Sequence, residues 1–437
     1  MEIIKNIFLI LLLLPGMRYF GSIYYLLLAS SLFISFNFII KNKIFIKVSF
    51  VFLLLLYSQQ FLQFLFIFDK DQDLFNSIAR ITIPILLILF FNSSKKNSIK
   101  LYKCLFFANL LALLSLYFQL IFPDILPLPL DGFRGSNIRF STFGGNTNIL
   151  GTSLALYLPF LIYSESDFDY KKFFFQKSKT FSNNKIKAFF IFLYLITIFL
   201  TYSRGALLTF GFTIILYIFL EFIEFNNIDY SFRFKLQKRF LNYFIYLPLI
   251  FLISFAFIVL FVPNFTLIIA QLFFPFTMML TLLNVIPKEY FWNLFPNISL
   301  DASDLNLLND FFKTRVAFGM ESISSSFGNT LSFFFGIGPS SYGSIVGFEE
   351  GFNHNNYFDL LEGQGLLGVF IFLAHIVILF CLGKSWDSNQ KKLLILSTST
   401  FLVASLYSSG ILHHPLWITP LIIVPGIPIF YKIKKVS

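Results

Sequence analysis

The sequence has little charge and almost no cysteine. Only 13% of its 437 residues are charged, whereas 57% are hydrophobic and 20% are aromatic; an average globular chain is about 25% charged. This composition excludes a disordered chain, a coiled coil and a nucleic-acid-binding domain. The only two cysteines, Cys104 and Cys381, lie in apolar stretches and indicate neither a disulfide framework nor a metal site. What remains is a polytopic membrane protein.

Apolar runs of about 20 residues, the length that crosses a bilayer as a helix, alternate with short polar breaks along the whole chain. The sequence therefore predicts an all-α polytopic integral membrane protein in which residues 1–437 form a single transmembrane domain. The first run resembles a signal-peptide core, but no small-residue cleavage site follows it, so we expect it to be retained. The 12 predicted spans lie near residues 3–17, 20–40, 46–68, 76–92, 101–122, 148–164, 186–202, 205–223, 241–263, 365–383, 393–409 and 416–431.

The Lys and Arg bias of the loops sets the predicted orientation, because cytoplasmic loops carry the excess of positive charge. With both termini in the cytoplasm, the basic clusters of loops 165–185, 224–240 and 384–392 all face inward, and nine of the 33 basic residues remain outside. The apolar segment 265–287 would reverse this pattern if it crossed the membrane. We therefore expect it to be interfacial or re-entrant, and residues 264–364 to form one long external loop. Loops of that length are usually functional.

Arginine is scarce, with eight residues against 25 lysines, yet six of the eight fall on the predicted external side. The planar guanidinium grips phosphate oxygens through two hydrogen bonds, so these residues indicate a diphosphate at the outer membrane boundary. Arg18 and Arg80 lie at span ends and have no motif around them. For these two arginines we expect side chains that extend to the lipid headgroups instead. The other four lie in richer contexts: Arg134, Arg139, Arg204 and Arg315.

Two short segments provide that context. Residues 133–151, FRGSNIRFSTFGGNTNILG, put Arg134 and Arg139 in a glycine- and asparagine-rich external loop that leads into a span. Glycine permits close backbone approach, and the N–H groups at the next helix start favour an anion, although ordinary turns use the same residues. Residues 201–208, TYSRGALL, put Arg204 at a helix–helix break, where an intramembrane arginine needs a partner.

The sequence has four histidines. We expect His375, inside a span, to be packed or hydrogen-bonded, and His413 and His414 to be solvated in an external turn. His354 lies where the long loop returns to the membrane, and its neutral imidazole is suited to take a proton from an alcohol. No cysteine or second histidine stands at zinc-ligand spacing. Several carboxylates are close enough in sequence to orient the imidazole, and spacing leaves the choice open: Glu349, Glu350, Asp359 and Glu362.

Taken in order, these motifs resemble the O-antigen ligase and O-antigen polymerase superfamily of bacterial envelope glycosyltransferases. Its pattern has an Arg and an Asn-x-Asn element that open a span, then a Thr-x-Ser-Arg-Gly element, a Gly-x-Gly element and a His-Asn pair before a Gly-Leu-Leu-Gly span start. The resemblance covers about residues 100–385, and Thr147 departs from it where the family commonly has proline. The matching positions are Arg139, Asn146, Asn148, Thr201, Ser203, Arg204, Gly205, Gly336, Gly338, His354, Asn355 and 365–368.

The resemblance implies a GT-C-like helical transferase that inverts the sugar and uses no metal or other cofactor. The donor would be a glycan on undecaprenyl diphosphate, and the acceptor a glycan or the lipid A–core part of lipopolysaccharide, at the periplasmic side of the bacterial inner membrane. Arginines at Arg204 and at Arg139 or Arg315 would hold the diphosphate, and His354 would be the base. Supporting roles fall to Arg134, Asn146, Asn148, Asn355, Glu349 and Glu350.

Two other classes of protein compete with this reading. An envelope transporter or flippase predicts charges deep inside several helices, and the span interiors outside the motifs carry almost none. A structural scaffold has no need of external loops rich in Arg and Gly. Within the transferase reading, ligase and repeat-unit polymerase share all of these motifs, so the sequence separates neither these two nor the sugars involved.

Overall fold

In a computed structural model of the chain, the described residues are 7, 9–11, 13–14, 55, 58–59, 95–122, 133–134, 137–138, 147–163, 183–201, 203–234, 330–336 and 356–407. The chain divides into two compact units, Met1–Gln237 with Ser322–Ser437, and Lys238–Glu321. Every described residue lies in the first unit.

Helices make up most of the described residues, and two short antiparallel strand pairs interrupt them. The helices are α1 (Lys95–Ile121), α2 (Thr147–Tyr163), α3 (Asn183–Leu200), α4 (Arg204–Glu221), α5 (Thr330–Phe335), α6 (Asn356–Gly383) and α7 (Ser388–Tyr407). Strand β1 (Phe133–Arg134) pairs with β2 (Asn137–Ile138), and β3 (Ile223–Phe225) pairs with β4 (Phe232–Phe234).

Six of these helices, all except the short α5, occupy segments in which the sequence predicts membrane spans. Among the described residues, one helical stretch, the 24 residues Leu360–Gly383, is both long and apolar enough to cross a membrane. Shorter apolar stretches lie in α1, α2, α3 and α4. The remaining predicted spans and the segment 265–287 lie outside the described residues, and membrane crossing itself stays a prediction.

The central helix of the described bundle is α2. Its residues from Leu150 to Leu161 are buried on every face, as expected for a helix that is hydrophobic all round. Helices α4 and α7 pack against α2 and against each other. A hydrogen bond of 2.9 Å between the buried hydroxyls of Thr213 and Thr400 links α4 to α7. These three helices form the core of the described bundle.

Helix α6 has two different faces. One face is buried in the bundle and includes Gln364, Phe372, His375 and Leu379. The opposite face leaves large apolar side chains exposed along its length: Leu367, Phe370, Leu373, Val377, Ile378 and Leu382. An apolar stripe of this extent is unusual on a surface that meets water, and it is the composition expected of a surface that meets lipid.

Side-chain contacts at the helix ends show the relative directions of the helices. At one end, the Tyr163 hydroxyl donates to the Glu221 carboxylate at 3.1 Å, and Lys392 at the start of α7 lies 3.5 Å from the same carboxylate. At the other end, the Tyr357 hydroxyl at the start of α6 donates to the carbonyl of Leu402 near the end of α7. Helices α2 and α4 therefore run together, and α7 runs against both.

A β-hairpin caps the end that carries Glu221. Strands β3 and β4 pair Glu224 with Arg233, whose guanidinium makes an ion pair of 2.9 Å with that carboxylate. The fully buried Lys391 donates from Nζ to the carbonyls of Asn226 and Asp229 in the connecting turn. The backbone N–H of Phe225 also donates to the Ser388 hydroxyl at 3.0 Å. The hairpin is thus attached to the first turn of α7.

The hairpin turn also shifts several pKa values. Burial lowers the pKa of Lys391, and the charges of Asp229 and Asp387 oppose that shift. The hydroxyl and backbone N–H of Ser231 donate to the Asp229 carboxylate and hold its pKa below the usual value. Burial raises the pKa of Tyr230 to about 12, with a smaller contribution from Cys381. At neutral pH this turn therefore carries a carboxylate and a neutral phenol around one lysine.

Candidate functional site

Two of the sequence motifs meet at the end of the bundle opposite Glu221. This end, called the motif end here, comprises the first turns of α2 and α4 and the last turn of α3. A Cβ built on Gly151 of α2 would lie 2.7 Å from the Cβ of Ala206, 3.1 Å from the Thr201 hydroxyl and 3.3 Å from the Cβ of Ser203. Only glycine permits this approach. The first turn of the helix that follows the Asn-x-Asn element is therefore packed directly against the Thr-x-Ser-Arg-Gly element.

The break between α3 and α4 is a compact hydrogen-bonded turn. The Thr201 hydroxyl donates to the carbonyl of Ile198 at 2.7 Å and accepts from the backbone N–H of Ser203 at 3.4 Å. Ser203 is the N-cap of α4, and its side chain accepts from the N–H of Ala206 at 3.4 Å. Its extended backbone (φ −85°, ψ 99°) is typical of a helix cap. Thr201 and Ser203 thus have structural roles in this turn.

Arg204 is the first residue of α4, directly after that cap. The start of a helix carries a partial positive charge and favours an anion, and the residue at this helix start is an arginine. Asn148 lies in the first turn of α2, three residues before Gly151 and half-buried; a helix rises about 1.5 Å per residue, so it stands about 4.5 Å along the axis from the contact. Arg204 and Asn148 therefore both lie in first helical turns at the motif end.

A pair of glycines joins α5 to α6. Gly336, which follows α5, has a φ of 76°, and Gly365 within α6 has a φ of 64°. A Cβ on Gly336 would lie 2.5 Å from the backbone of Gly363 and Gln364, and a Cβ on Gly365 would meet the backbone of Phe334 and Gly336. Both the left-handed conformation and the close approach require glycine. The Gly-x-Gly and Gly-Leu-Leu-Gly elements therefore meet backbone to backbone.

Gly365 also divides α6 into two helical segments, 356–364 and 366–383, because its φ and ψ of 64° and −168° are not helical. The division falls where the sequence predicts the start of the span at 365. Two glutamines that the sequence analysis does not single out lie beside it. The Gln59 amide donates to the carbonyls of Phe335, at 3.3 Å, and Gln364, and it thereby connects a predicted span to both glycine elements.

Several candidate residues lie outside the described residues: Arg139, Asn146, Arg315, Glu349, Glu350, His354 and Asn355. Arg134 lies in β1, paired with Asn137 across a short hairpin. Glu362 is buried and Asp359 lies in α6, which begins at Asn356, two residues after His354 in the chain. His375 is buried in α6 with an interaction partner, as the sequence analysis expects. Within the described residues, no group of His, Cys, Asp and Glu is arranged to hold a metal.

Comparison of the chain with models of known protein families, with curated proteins and with solved structures finds no match.

Proposed function

We propose that this chain is an integral membrane glycosyltransferase of the O-antigen ligase and polymerase type. In this proposal about 12 helices cross the bacterial inner membrane, both termini are cytoplasmic, and the motif end and the 264–364 loop face the periplasm. The enzyme moves a glycan from undecaprenyl diphosphate onto a hydroxyl of a glycan or lipid A–core acceptor. It requires neither a metal nor another cofactor.

The observation that carries the proposal is the contact of Gly151 with Thr201, Ser203 and Ala206. The two elements are about 50 residues apart in sequence, and nothing in either one alone requires them to meet. Their contact brings an amide-bearing helix start and the start of α4, which carries Arg204, to one end of the bundle. A diphosphate group needs such a convergence of donors and positive charge.

The proposed reaction is a single displacement at the anomeric carbon. His354 takes the proton from the acceptor hydroxyl, whose oxygen forms the new glycosidic bond as the bond to the diphosphate breaks. Undecaprenyl diphosphate leaves with the bonding electron pair, and Arg204, with Arg139 or Arg315, stabilises the charge that develops on it. Arg134, Asn146, Asn148 and Asn355 are proposed to position the two substrates, and Glu349 or Glu350 to orient the imidazole.

Two described features support the membrane part of the proposal. The exposed face of α6 is apolar from Leu367 to Leu382, which suits contact with lipid chains. Buried lysines and the ion pair of Lys392 with Glu221 lie at the end opposite the motif end, in agreement with a cytoplasmic surface there.

The alternative of an ion-coupled transporter predicts charged side chains in the middle of several helices. Among the described residues, the buried charged side chains are Glu362, Lys391 and Lys392. Glu362 lies in the short first segment of α6, before the Gly365 break, and the two lysines lie at the end of the bundle that carries Glu221. The middle of the described bundle is held instead by neutral hydroxyls such as Thr213 and Thr400. This distribution favours the transferase.

Arg204→Lys and Arg139→Lys test the diphosphate role. Each keeps a positive charge and loses the bidentate fork, so we expect glycan transfer by the protein reconstituted in liposomes to fall about 10–100-fold, the loss expected for one hydrogen bond to a charged group. Arg233→Lys, which alters an exposed arginine at the opposite end, is the matched control and should keep wild-type transfer. Near-wild-type transfer by both test variants, stably inserted, would refute the phosphate role.

A further inference from the structure

The β3–β4 hairpin leaves part of its apolar face uncovered. Two cross-strand pairs form that face, Ile223 with Phe234 and Phe225 with Phe232. On β3, Ile223 and Phe225 are buried, whereas on β4 Phe232 and Phe234 are 52% and 70% exposed. The rings of Phe232 and Phe234 contact each other, with their centroids 5.5 Å apart. These two residues form one exposed apolar surface, the aromatic edge of the hairpin.

The hairpin lies where the exposed apolar face of α6 ends. The Tyr230 hydroxyl donates to the carbonyl of Phe380 at 2.8 Å, and the centroids of the two rings are 5.9 Å apart. Phe380 lies near the end of α6, and the exposed apolar side chains of that helix extend to Leu382. Since this face of α6 meets lipid in the proposed arrangement, the hairpin lies at the boundary between acyl chains and headgroups. At that depth, aromatic and aliphatic side chains insert into a bilayer surface.

The chain around the aromatic edge is basic. Residues 223–240 contain four basic and two acidic side chains. Arg233 lies between the two phenylalanines in the chain and is ion-paired with Glu224 across the hairpin. The other three basic residues follow β4, all within about 17 Å of Phe234 even in a fully extended chain: Lys235, Lys238 and Arg239. Basic segments next to a membrane are attracted to anionic lipid headgroups.

Charge distinguishes between the partners that suit such a surface. An exposed apolar surface is typical of contact with either another protein or a membrane. Protein interfaces are depleted of lysine, whereas lysine and arginine beside aromatic side chains are typical of elements that lie on an anionic bilayer. The composition of this segment and its position at the end of the apolar face of α6 both favour lipid.

We propose that the aromatic edge and the basic residues that follow it bind the hairpin to anionic phospholipids of the cytoplasmic leaflet. The rings of Phe232 and Phe234 enter the boundary between headgroups and acyl chains, and the basic side chains pair with lipid phosphates. The inference rests on the membrane orientation contained in the proposed function. It goes beyond that function because glycosyl transfer at the motif end requires no lipid contact by this hairpin.

Tryptophan fluorescence of the full-length protein in lipid nanodiscs tests the proposal. In a chain whose Trp292, Trp386 and Trp417 are replaced by phenylalanine, Phe234→Trp keeps an aromatic ring and places the probe on the aromatic edge. Nanodiscs of phosphatidylcholine and anionic phosphatidylglycerol, both with brominated acyl chains, should quench this tryptophan. Nanodiscs of brominated phosphatidylcholine alone should quench it much less.

Two further positions in the same background serve as controls. Val377→Trp, on the exposed apolar face of α6, should be quenched in both lipid mixtures, and Asn389→Trp, an exposed position in the first turn of α7, in neither. Combined replacement of Lys235, Lys238 and Arg239 by glutamine should remove the dependence of Phe234→Trp on phosphatidylglycerol. Each basic residue near an anionic surface shifts the binding equilibrium by about fivefold.

Several results would overturn the proposal. Equal quenching of Phe234→Trp with and without phosphatidylglycerol contradicts the anionic partner, and so does a glutamine variant that keeps the full dependence on it. An unquenched Phe234→Trp beside a quenched Val377→Trp contradicts lipid contact and leaves the proposed function standing; emission at short wavelength in that case would assign the aromatic edge to a protein contact. If Val377→Trp is unquenched as well, the membrane orientation and the proposed function fail with it.

Discussion

Single glycines set the distances between the motif elements. Gly151 lets α2 approach the turn before α4, and Gly336 and Gly365 let α5 approach the break in α6. From the sequence, glycine in these motifs indicates tight turns and close backbone approach. The approach is present, but at Gly151 it occurs inside a helix, and its partner is another protein segment. A motif read from one sequence does not reveal which atoms the glycine makes room for.

The Gly151 contact yields a prediction about stability and turnover. Gly151→Ala places a methyl group 2.7 Å from the Cβ of Ala206, so α2 and α4 must separate. Overpacking of this kind costs about 1–3 kcal/mol, and it shifts Asn148 relative to Arg204. We expect a lower thermal unfolding midpoint in detergent and reduced glycan transfer. Gly211→Ala in α4 serves as the control and should be neutral or stabilising, by up to about 1 kcal/mol. Equal unfolding midpoints for the two variants would contradict the contact.

The contact between Gln59 and Gln364 could not be predicted from patterns in the sequence. Gln59 interrupts an apolar run and Gln364 directly precedes the predicted span start, so each is visible as a polar residue at a membrane boundary or within a span. Their contact joins positions 305 residues apart in the chain. Helical periodicity determines which face of a helix is apolar. It carries no information on which two helices bring their polar residues together.

At the scale of elements, the structure adds a hairpin where the sequence analysis has only a cytoplasmic loop. Residues 223–225 and 232–234, Ile-Glu-Phe and Phe-Arg-Phe, alternate apolar and charged side chains on either side of a turn rich in Asn, Asp and Ser. That alternation is typical of paired strands. The basic residues that follow predict a cytoplasmic loop by their charge alone, and charge carries no information on strand pairing.

The attachment of this hairpin to α7 is testable. Lys391→Met removes both hydrogen bonds from Nζ to the turn, so we expect faster amide hydrogen exchange in residues 223–234 by about tenfold, equivalent to the net loss of one to two hydrogen bonds. Lys384→Met changes an exposed lysine of the preceding turn and should leave exchange unchanged. Exchange equal to that of the wild type in Lys391→Met would show that the hairpin is held by Phe225 and Ser388 instead.

Helix α6 shows where hydropathy and helical structure differ. The sequence predicts a span beginning at 365, whereas the helix begins at Asn356 and changes direction at Gly365. The segment 356–364 contains Asp359, Glu362 and Gln364, so its hydropathy falls although the backbone remains helical. Hydropathy therefore identifies the part of α6 suited to lipid, and only the structure adds the polar helical segment that precedes it.

For the whole molecule, the described helices alternate in direction in the way that consecutive spans require. The ends that carry Tyr163, Glu221 and Lys392 lie together, and the ends that carry Gly151 and Ala206 lie together. The positive-inside rule assigns the first group to the cytoplasm. Composition and loop charge predict the same alternation of directions, and the crossing of the membrane stays a prediction. The path of the 264–364 loop stays a prediction.

Cysteine labelling tests that topology. In a variant whose Cys104 and Cys381 are replaced by serine, Ser324→Cys in the long loop should react with a membrane-impermeant maleimide in intact cells with a permeabilised outer membrane. Ser385→Cys, in the exposed turn between α6 and α7, should react only after lysis. The reverse pattern would place the motif end in the cytoplasm and remove the basis for a periplasmic active site.

The most direct test of the central claim is the pH dependence of glycan transfer by purified wild-type protein and by His354→Ala. A general base is typically worth about 10²–10⁴-fold in rate, so the variant should lose turnover by that order and still bind undecaprenyl diphosphate through the arginines. The wild-type rate should fall as pH drops below about 6.5, where imidazole protonates, and this limb should be absent from the variant. His375→Ala should retain the limb. Ordinary turnover with an unchanged acid limb in His354→Ala would contradict the account and direct attention to Glu349 or Glu350.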